Sequence, residues 1–236
     1  MGAKRASKAK SRSARTRRPK IKLDAKTKPR QRRAQATYDV ILEVTGKLLE
    51  EVGVERLSTN LVCERAGLTP PALYRYFPNK YALLKELGER LMTQQDDAVF
   101  EHIQKLGDHF GSADEEAKRN RQIQEKVNEI THRFPGGGWV MRALRAVPTL
   151  GEVRIKSREE VAERVYRRML ASFPKANKKD LRIAATLTVE VMYASTELIM
   201  DQPELDADRI TAEICYMVAL YRASFGDPLR KSHLPD

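Results

Sequence analysis

The chain has 236 residues, of which 41% are hydrophobic and 6% aromatic, and its formal net charge is +12. This length allows two small domains. No apolar run is long enough to predict a membrane span. The two cysteines, Cys63 and Cys215, lie far apart in a sequence without an export signal, which predicts reduced thiols in a cytoplasmic protein rather than a disulfide framework.

The net positive charge is concentrated in residues 1–33, which contain fifteen Lys or Arg against the single Asp24. No bulky apolar residue occurs between Met1 and Ile21, so we expect a disordered basic arm. Such an arm would follow DNA phosphates or enter the minor groove, with an affinity that falls steeply with salt. A solvated tail without a specific partner and an organelle transit peptide are the alternatives.

Helical periodicity begins at Gln35 and predicts a first helix as far as Val52. Gly53 is suited to end this helix in a left-handed conformation. The apolar residues that recur every three or four positions are Val40, Ile41, Val44, Leu48 and Val52.

The stretch LSTNLVCERAGLTPPALYRYFPNK, residues 57–80, predicts two short helices joined by a tight turn. Ser58 or Thr59 can cap the first helix, and Gly67 permits the chain to reverse. Thr69 can cap the second helix, and Pro70 suits its first position. Two helices of this kind can place the second in a DNA major groove.

Two apolar residues four positions apart, Leu73 and Phe77, are expected to close the small core of this motif. Cys63 is expected to be buried where the two helices pass closely, because only a small side chain fits there. A reactive thiol is the alternative, but no basic residue or second cysteine lies beside it to lower its pKa.

The run from about Arg33 to about Leu91, and especially ERAGLTPPALYRYFPNKYALL, resembles the DNA-binding domain of the tetracycline-repressor family of bacterial transcription regulators. The resemblance covers about a quarter of the chain. It implies an all-α fold with a helix-turn-helix DNA-binding domain at residues 34–80. A larger helical domain at 81–226 would dimerise and hold a small effector, and residues 227–236 would form a tail.

The resemblance also implies which residues face DNA. Lys80 would bind a phosphate at a helix N-terminus, and Asn60, Thr69 and Arg75 are the candidate base readers. The prolines can pack on thymine methyl groups, and the tyrosines can bind phosphates through their hydroxyls. The full set of predicted contacts is Thr59, Asn60, Thr69, Pro70, Pro71, Tyr74, Arg75, Tyr76 and Lys80.

After the motif, Asn79 can cap a connector helix that continues beyond Phe100. We expect a loop or frayed end over residues 107–120 and a helix from Arg121 to Arg133. Three glycines at 136–138 predict a loop, since no P-loop lysine and hydroxyl follow them. A short helix is predicted from Trp139 to Val147.

The remaining sequence predicts three further helices. Ser157 and Glu160 form a capping-box pattern for the first, and the other two cover about 180–200 and 206–225. In the family the last two helices form a four-helix bundle with a second copy, so the resemblance implies a homodimer. The core of a monomer is the alternative.

Seven aromatic, sulfur-containing or aliphatic side chains in the second domain suggest a pocket for an apolar or aromatic effector, although these residues could equally be ordinary core. The set is Trp139, Met141, Leu144, Tyr166, Met169, Met192 and Tyr193. No catalytic, cofactor or metal site is predicted: His102 and His109 are seven residues apart with Gly107 between them, and we expect both on the surface.

These features predict a cytoplasmic homodimeric transcription regulator, most simply a repressor that leaves a palindromic operator when a small molecule binds. One alternative is a regulator without an effector, or an architectural protein that binds DNA through its basic arm. Another is an enzyme or small-molecule carrier with a basic tail.

Overall fold

The computed structural model describes residues 21–26, 29, 31–107 and 109–227. Within these residues the backbone forms nine α-helices and no strand, which confirms the predicted all-α fold. In chain order the helices are α1 (Arg32–Arg56), α2 (Thr59–Ala66), α3 (Pro70–Tyr74), α4 (Lys80–Leu106), α5 (Ala113–Arg133), α6 (Gly137–Ala146), α7 (Gly151–Ser172), α8 (Lys178–Asp201) and α9 (Ala207–Ala223), with two 3₁₀ turns at Pro148–Leu150 and Ser224–Gly226.

Helix α1 is longer than the predicted 35–52 at both ends. Gly53 has a φ of 70°, as expected for a residue that ends the regular helix, and one more short turn follows it. Helices α1 to α4 and α6 share one continuous apolar core, which runs from Tyr38 to Leu150. The boundary predicted at residue 80 lies within this core, where α4 begins.

The glycine-rich turn at 135–138 brings α6 against α1. A Cβ on Gly136 would lie 2.4 Å from the carbonyl oxygen of Gly46, and a Cβ on Gly46 would lie 2.4 Å from that of Pro135. Because both contacts are to backbone, only glycine permits this approach. The turn therefore packs two helices together, and α6 begins inside it at Gly137 rather than at the predicted Trp139.

Two further helices begin well before their predicted starts. Helix α5 begins at Ala113, within the predicted loop, and is opened by a capping box in which Ser112 and Glu115 bond each other's backbone amides. Helix α7 begins at Gly151, so Ser157 lies buried in its middle and caps nothing.

The last two helices confirm the sequence prediction to within a few residues. Asn177 and Asp206 cap α8 and α9, and their side chains accept from the amides of Lys179 and Arg209. A second buried cluster joins α7 and α8, and α5 packs along α9.

By length and composition alone, α8 could cross a membrane, which contradicts the sequence prediction. Its most apolar window has a mean hydropathy of 1.3, and 39% of that window is buried within the protein. A single helix of this kind is a weak indication, because the core helices of water-soluble proteins meet the same criterion.

Candidate DNA-binding surface and effector cavity

The turn between α2 and α3 has the geometry that the sequence predicts. Ser58 caps α2 by accepting from the amide of Leu61 at 3.2 Å. Gly67 has a φ of 64°, which glycine adopts without steric cost, and the next amide, of Leu68, donates to the carbonyl of Cys63 at 2.9 Å. Cys63 is buried as predicted, and burial raises the pKa of its thiol.

Helix α3 begins at Pro70, as predicted, but the side chain of Thr69 makes no capping bond. Its carbonyl accepts instead from the amides of Ala72 and Leu73. Leu73 and Phe77 are fully buried and anchor α3 to α1 and α4. The threonine hydroxyl is therefore available to a partner outside the helix.

Most predicted DNA contacts lie together on one face of α2 and α3. The hydroxyls of Thr59 and Tyr74 lie 2.9 Å apart and join the start of α2 to the end of α3. Tyr74 is 38% exposed. The other exposed predicted contacts are Asn60, Thr69, Pro70, Pro71 and Arg75.

Two predicted contacts lie elsewhere. Tyr76 is buried, and its ring packs edge-on against Tyr38 at 5.7 Å, so it belongs to the core. The Nζ of Lys80 donates to the carbonyls of Val54, Glu55 and Leu57 at 3.1, 3.3 and 3.1 Å. A lysine ammonium has three donors, so Lys80 satisfies the end of α1 and has no donor left for a phosphate.

Residues 22–26, which the sequence assigns to a disordered arm, pack against the helix-turn-helix. The amide and Nζ of Lys26 donate to the carbonyls of Tyr76 and Tyr74, at 2.7 and 3.0 Å. Asn79 donates to the carbonyl of Lys22, and Asp24 pairs with Lys85. The disorder predicted for this segment is therefore wrong, while residues 1–20 lie outside the described part of the chain.

A cavity of about 80 Å³ lies in the second domain between α4, α5, α7, α8 and α9. Its wall is mainly aliphatic, with polar and charged groups among the apolar ones. The lining residues from α4 and α5 are Val99, His102, Ile103, Leu106, Asn120, Ile123, Gln124 and Val127, and those from the rest of the chain are Phe110, Val161, Val165, Arg168, Val189, Met192, Tyr193, Thr196 and Arg222.

Of the seven predicted pocket residues, only Met192 and Tyr193 line this cavity. Trp139 lies against Gly53 of α1, with the Arg142 guanidinium 4.8 Å from its ring centre. The other four predicted residues are buried outside this cavity: Met141 and Leu144 belong to the core shared by α1 to α4 and α6 and line a separate cavity of about 10 Å³, and Tyr166 and Met169 belong to the cluster of α7 and α8.

Of the two histidines that the sequence predicts on the surface, only one is exposed. His109 is exposed as predicted, whereas His102 is partly buried and lines the cavity. Burial lowers the pKa of His102, and its Nε2 has no hydrogen-bond partner among the described residues. Within that same part of the chain no three His, Cys, Asp or Glu side chains come together as metal ligands.

One side of the cavity is hydrogen-bonded to the connector helix α4. Tyr193, from α8, donates through its hydroxyl to Asp96 of α4 at 3.2 Å, and Ser157 of α7 donates to the same carboxylate oxygen at 2.8 Å. Burial raises the pKa of Asp96 to about 6, and the two hydrogen bonds offset only part of that effect. A residue of the cavity wall thus contacts α4 directly.

Helices α8 and α9 present a second candidate surface. Seven of the eleven large apolar side chains that the described residues expose lie on these helices or the turn between them: Ile183, Leu187, Leu198, Leu205, Tyr216, Met217 and Leu220. Their exposed fractions range from 37% to 53%. A concentration of this kind marks an interaction surface rather than scattered surface residues.

Comparisons with known proteins agree with this arrangement. The family model described as "Bacterial regulatory proteins, tetR family" matches residues 41–87, and that described as "Tetracyclin repressor-like, C-terminal domain" matches residues 135–221. The two matches together cover more than half of the chain. Tetracycline repressor protein class C of Escherichia coli is 42% identical over 55 residues, which are 23% of this chain and 25% of that protein. The chain thus aligns with about a quarter of the length of the curated relatives it matches.

Solved structures share the fold over most of the chain. A tetR-family transcriptional regulator from Streptomyces coelicolor has a TM-score of 0.60 at 16% identity, with 81% of this chain and 83% of that one covered. SmeT, the repressor of the Stenotrophomonas maltophilia multidrug efflux pump SmeDEF, has a TM-score of 0.61 at 20% identity, with 78% and 89% covered. The family consists of transcriptional regulators rather than enzymes. This chain belongs to the tetracycline-repressor family of bacterial transcription regulators.

Proposed function

We propose that the protein is a cytoplasmic homodimeric repressor that binds a palindromic operator and leaves it when a small molecule enters the cavity. The observation that carries this proposal is the exposed polar face of α2 and α3, where the hydroxyls of Thr59 and Tyr74 join the two helices of a tetR-family motif. The chain is proposed to regulate transcription through that face.

The base readers are Asn60, Thr69 and Arg75, whose side chains are exposed on this face. Pro70 and Pro71 pack on thymine methyl groups, because a proline has no donor to offer a base. Tyr74 binds a phosphate through its hydroxyl, which is already fixed by Thr59. Fixing it beforehand reduces the entropy lost on binding.

Because the donors of Lys80 are already used, other basic side chains at the same end of the domain are proposed to bind the DNA phosphates. Lys22 and Lys26 are exposed on the segment that packs beside α3, and Arg32 and Arg33 are exposed at the start of α1. The basic residues of 1–20 are proposed to extend this positive surface along the DNA backbone.

Two copies are proposed to meet through the exposed apolar face of α8 and α9. A twofold axis places the same face of each copy in contact, so the side chains of one subunit cover those of the other. The resulting four-helix arrangement would hold two DNA-binding motifs at a fixed spacing, as a palindrome requires.

The test is selection of bound sequences from random duplexes at near-physiological salt. Because residues 22–26 pack on the motif, the comparison protein lacks only residues 1–20. Enrichment of an inverted repeat by both proteins is expected, with Arg75→Ala weakening binding by about 1–3 kcal/mol. Arg65→Ala is the control, since Arg65 is bound bidentately to Glu51 of α1.

The basic arm favours a second candidate function, architectural DNA binding. Fifteen Lys or Arg in residues 1–33 can bind any duplex through its phosphates. In that case selection would enrich no repeat, and binding would be salt-sensitive and lost on removal of residues 1–20. That outcome would refute the proposal that the protein is a repressor.

A further inference from the structure

The effector cavity is apolar over most of its wall but carries two arginines. Arg168 from α7 and Arg222 from α9 both line it, among aliphatic side chains such as Val99, Val165 and Val189. Buried arginines are rare unless a carboxylate compensates their charge. The two guanidiniums differ in this respect.

The positive charge of Arg168 is paired with the carboxylate of Glu116. Its Nη1 and Nη2 donate to the two carboxylate oxygens of Glu116 at 2.8 and 2.9 Å, and further bonds reach the carbonyls of Gly107 and His109. Arg119 donates to the same carboxylate at 2.7 Å. Burial alone would raise the pKa of Glu116, but the hydrogen bonds and charge of Arg168 outweigh it and lower the pKa to about 2. Glu116 is therefore an ionised partner that two arginines already share.

Arg222 has no such partner. Its side chain is buried, with the residue only 7% exposed, and both Nε and Nη2 donate to the single hydroxyl of Thr188, at 3.2 and 2.9 Å. Among the described residues no carboxylate lies within 4.0 Å of it. A neutral hydroxyl cannot offset a full positive charge, and the carboxylate of Glu116 acts on Arg222 only from beyond ion-pair distance. Among the described residues, this end of the cavity therefore has a cation that no carboxylate pairs with directly.

In the part of the wall that the structure describes, the remaining polar groups supply no negative charge. The amide of Gln124 is directed to the hydroxyl of Thr196, and the amide of Asn120 to the carbonyl of Cys215. His102 presents an Nε2 without a partner, which can accept a hydrogen bond or donate one, depending on its tautomer. Among the described residues, the cavity thus combines an aliphatic wall, one cation without a carboxylate partner and one imidazole nitrogen without a hydrogen-bond partner.

We propose that the effector is a small apolar monocarboxylate, whose carboxylate pairs with the guanidinium of Arg222 while its hydrocarbon body lies against the aliphatic wall. A guanidinium matches a carboxylate with two parallel hydrogen bonds, and the pair is strong where water is excluded. This inference rests on the proposed function only for its regulatory consequence.

The volume of the cavity limits the ligand to small molecules. About 80 Å³ exceeds what one water needs but is less than the cavity of about 150 Å³ that holds a benzene ring. A monocyclic carboxylate such as benzoate must therefore move the walls apart. Three of the residues it would displace, Val99, Ile103 and Leu106, belong to α4.

The first experiment uses the unaltered protein and compares ligands that have similar shapes but different charges. Benzoate and phenylacetate are titrated by calorimetry against their neutral amides, benzamide and phenylacetamide, and against benzylamine. The carboxylates are expected to bind at least tenfold more tightly than the amides, and the amine not at all. Equal affinity of acid and amide, or no binding of either up to about 10 mM, would overturn the proposal.

The second experiment removes the cation. Arg222→Met keeps most of the side-chain volume and is expected to abolish the preference for acid over amide. The melting temperature should not fall, because removal of an unpaired buried charge offsets the loss of the two hydrogen bonds to Thr188. The control is Arg167→Met, an exposed arginine on α7 that pairs with Glu163 and lies outside the cavity lining. A preference that survives in folded Arg222→Met would contradict the assignment. If that variant does not fold, the acid and amide comparison decides.

These results are separable from the test of the repressor. Operator selection is carried out without any ligand, so an enriched repeat together with absent carboxylate binding would refute only the ligand class. Carboxylate binding without any enriched repeat would refute the repressor and leave a carboxylate-binding protein.

Discussion

Asp96 is a carboxylate that the fold buries within the connector helix α4, and Asp96→Asn measures what that burial costs. Desolvation is the largest influence on its pKa, which rises from 3.8 to about 6. A difference of about two pKa units corresponds to about 3 kcal/mol. The asparagine keeps an oxygen that can accept from Ser157 and Tyr193 and carries no charge.

The sign of the effect follows from proton binding. Because the pKa is raised in the folded state, that state binds the proton more tightly than the unfolded chain does. The folded protein therefore has no penalty from Asp96 below about pH 4. It loses stability as the pH rises from about 4 to about 6, up to a total of about 3 kcal/mol.

The assay is urea unfolding followed by circular dichroism between pH 4.5 and 8. One protomer concentration is used throughout, since the proposed dimerisation would affect stability. Asp96→Asn should be more stable than the parent by about 1 kcal/mol at pH 4.5 and by up to about 3 kcal/mol at neutral pH, the latter equivalent to about 6–12 °C in melting temperature. Asp97→Asn, the exposed neighbour on the same helix, is the control and should show no comparable trend. A stability difference that does not change with pH would refute the reasoning.

Three further predictions concern the other surfaces. Leu187→Glu replaces a side chain of α8 that is 50% exposed and should produce monomers in sedimentation velocity. Ile155→Glu, at a side chain of α7 that is 48% exposed, is the control and should not. A dimeric Leu187→Glu variant would show that this face is not the dimer interface. Gly136→Ala should lower the free energy of unfolding by about 2 kcal/mol or more through its clash with α1. Gly67→Ala, at a similar left-handed conformation in open space, should cost only about 1 kcal/mol, and equal losses would contradict the close approach. Lys80→Met should destabilise the protein by about 1–3 kcal/mol without changing the salt dependence of DNA binding; a reduced salt slope would restore its phosphate role.

The helix-turn-helix could be predicted closely because its signals are local. Ser58, Gly67, Pro70 and Asn79 each act within three residues of their own position, as caps or turn residues. Lys80 could not be interpreted this way, because its three acceptors lie 23 to 26 residues earlier in the chain. A lysine at a helix start is equally compatible with a phosphate and with the end of another helix.

The sequence predicts too short a helix for α5 because the inner face of this helix is polar. The buried residues of this helix include Glu116, Asn120 and Gln124, spaced by four, before the apolar Val127. A search for apolar periodicity misses such a face. The SADE sequence at 112–115 was the available signal, since it contains a capping box and an acidic first turn.

The cavity could be predicted only in part, because aromatic and sulfur-containing side chains identify core as readily as a binding site. A better signal was charge on an apolar stripe. Arg168 follows Val161 and Val165 at helical spacing, and Arg222 follows Val218 by four residues. An arginine on a face that is otherwise aliphatic must be buried near a partner or a ligand.

The position of the cavity offers a physical route from the proposed ligand to the proposed DNA-binding surface. Its wall contains α4, whose first residue, Lys80, holds the end of α1, and whose middle binds Tyr193 through Asp96. A ligand that separates the walls must move α4 relative to α8, while α8 is fixed by the proposed dimer face. Release requires only that the ligand bind the displaced arrangement better, and a difference of about 1–3 kcal/mol is typical of such coupling. If Asp96 carries that coupling, Asp96→Asn should bind the operator as the parent does but respond to the ligand with a changed concentration dependence. An unchanged response would place the coupling elsewhere along α4.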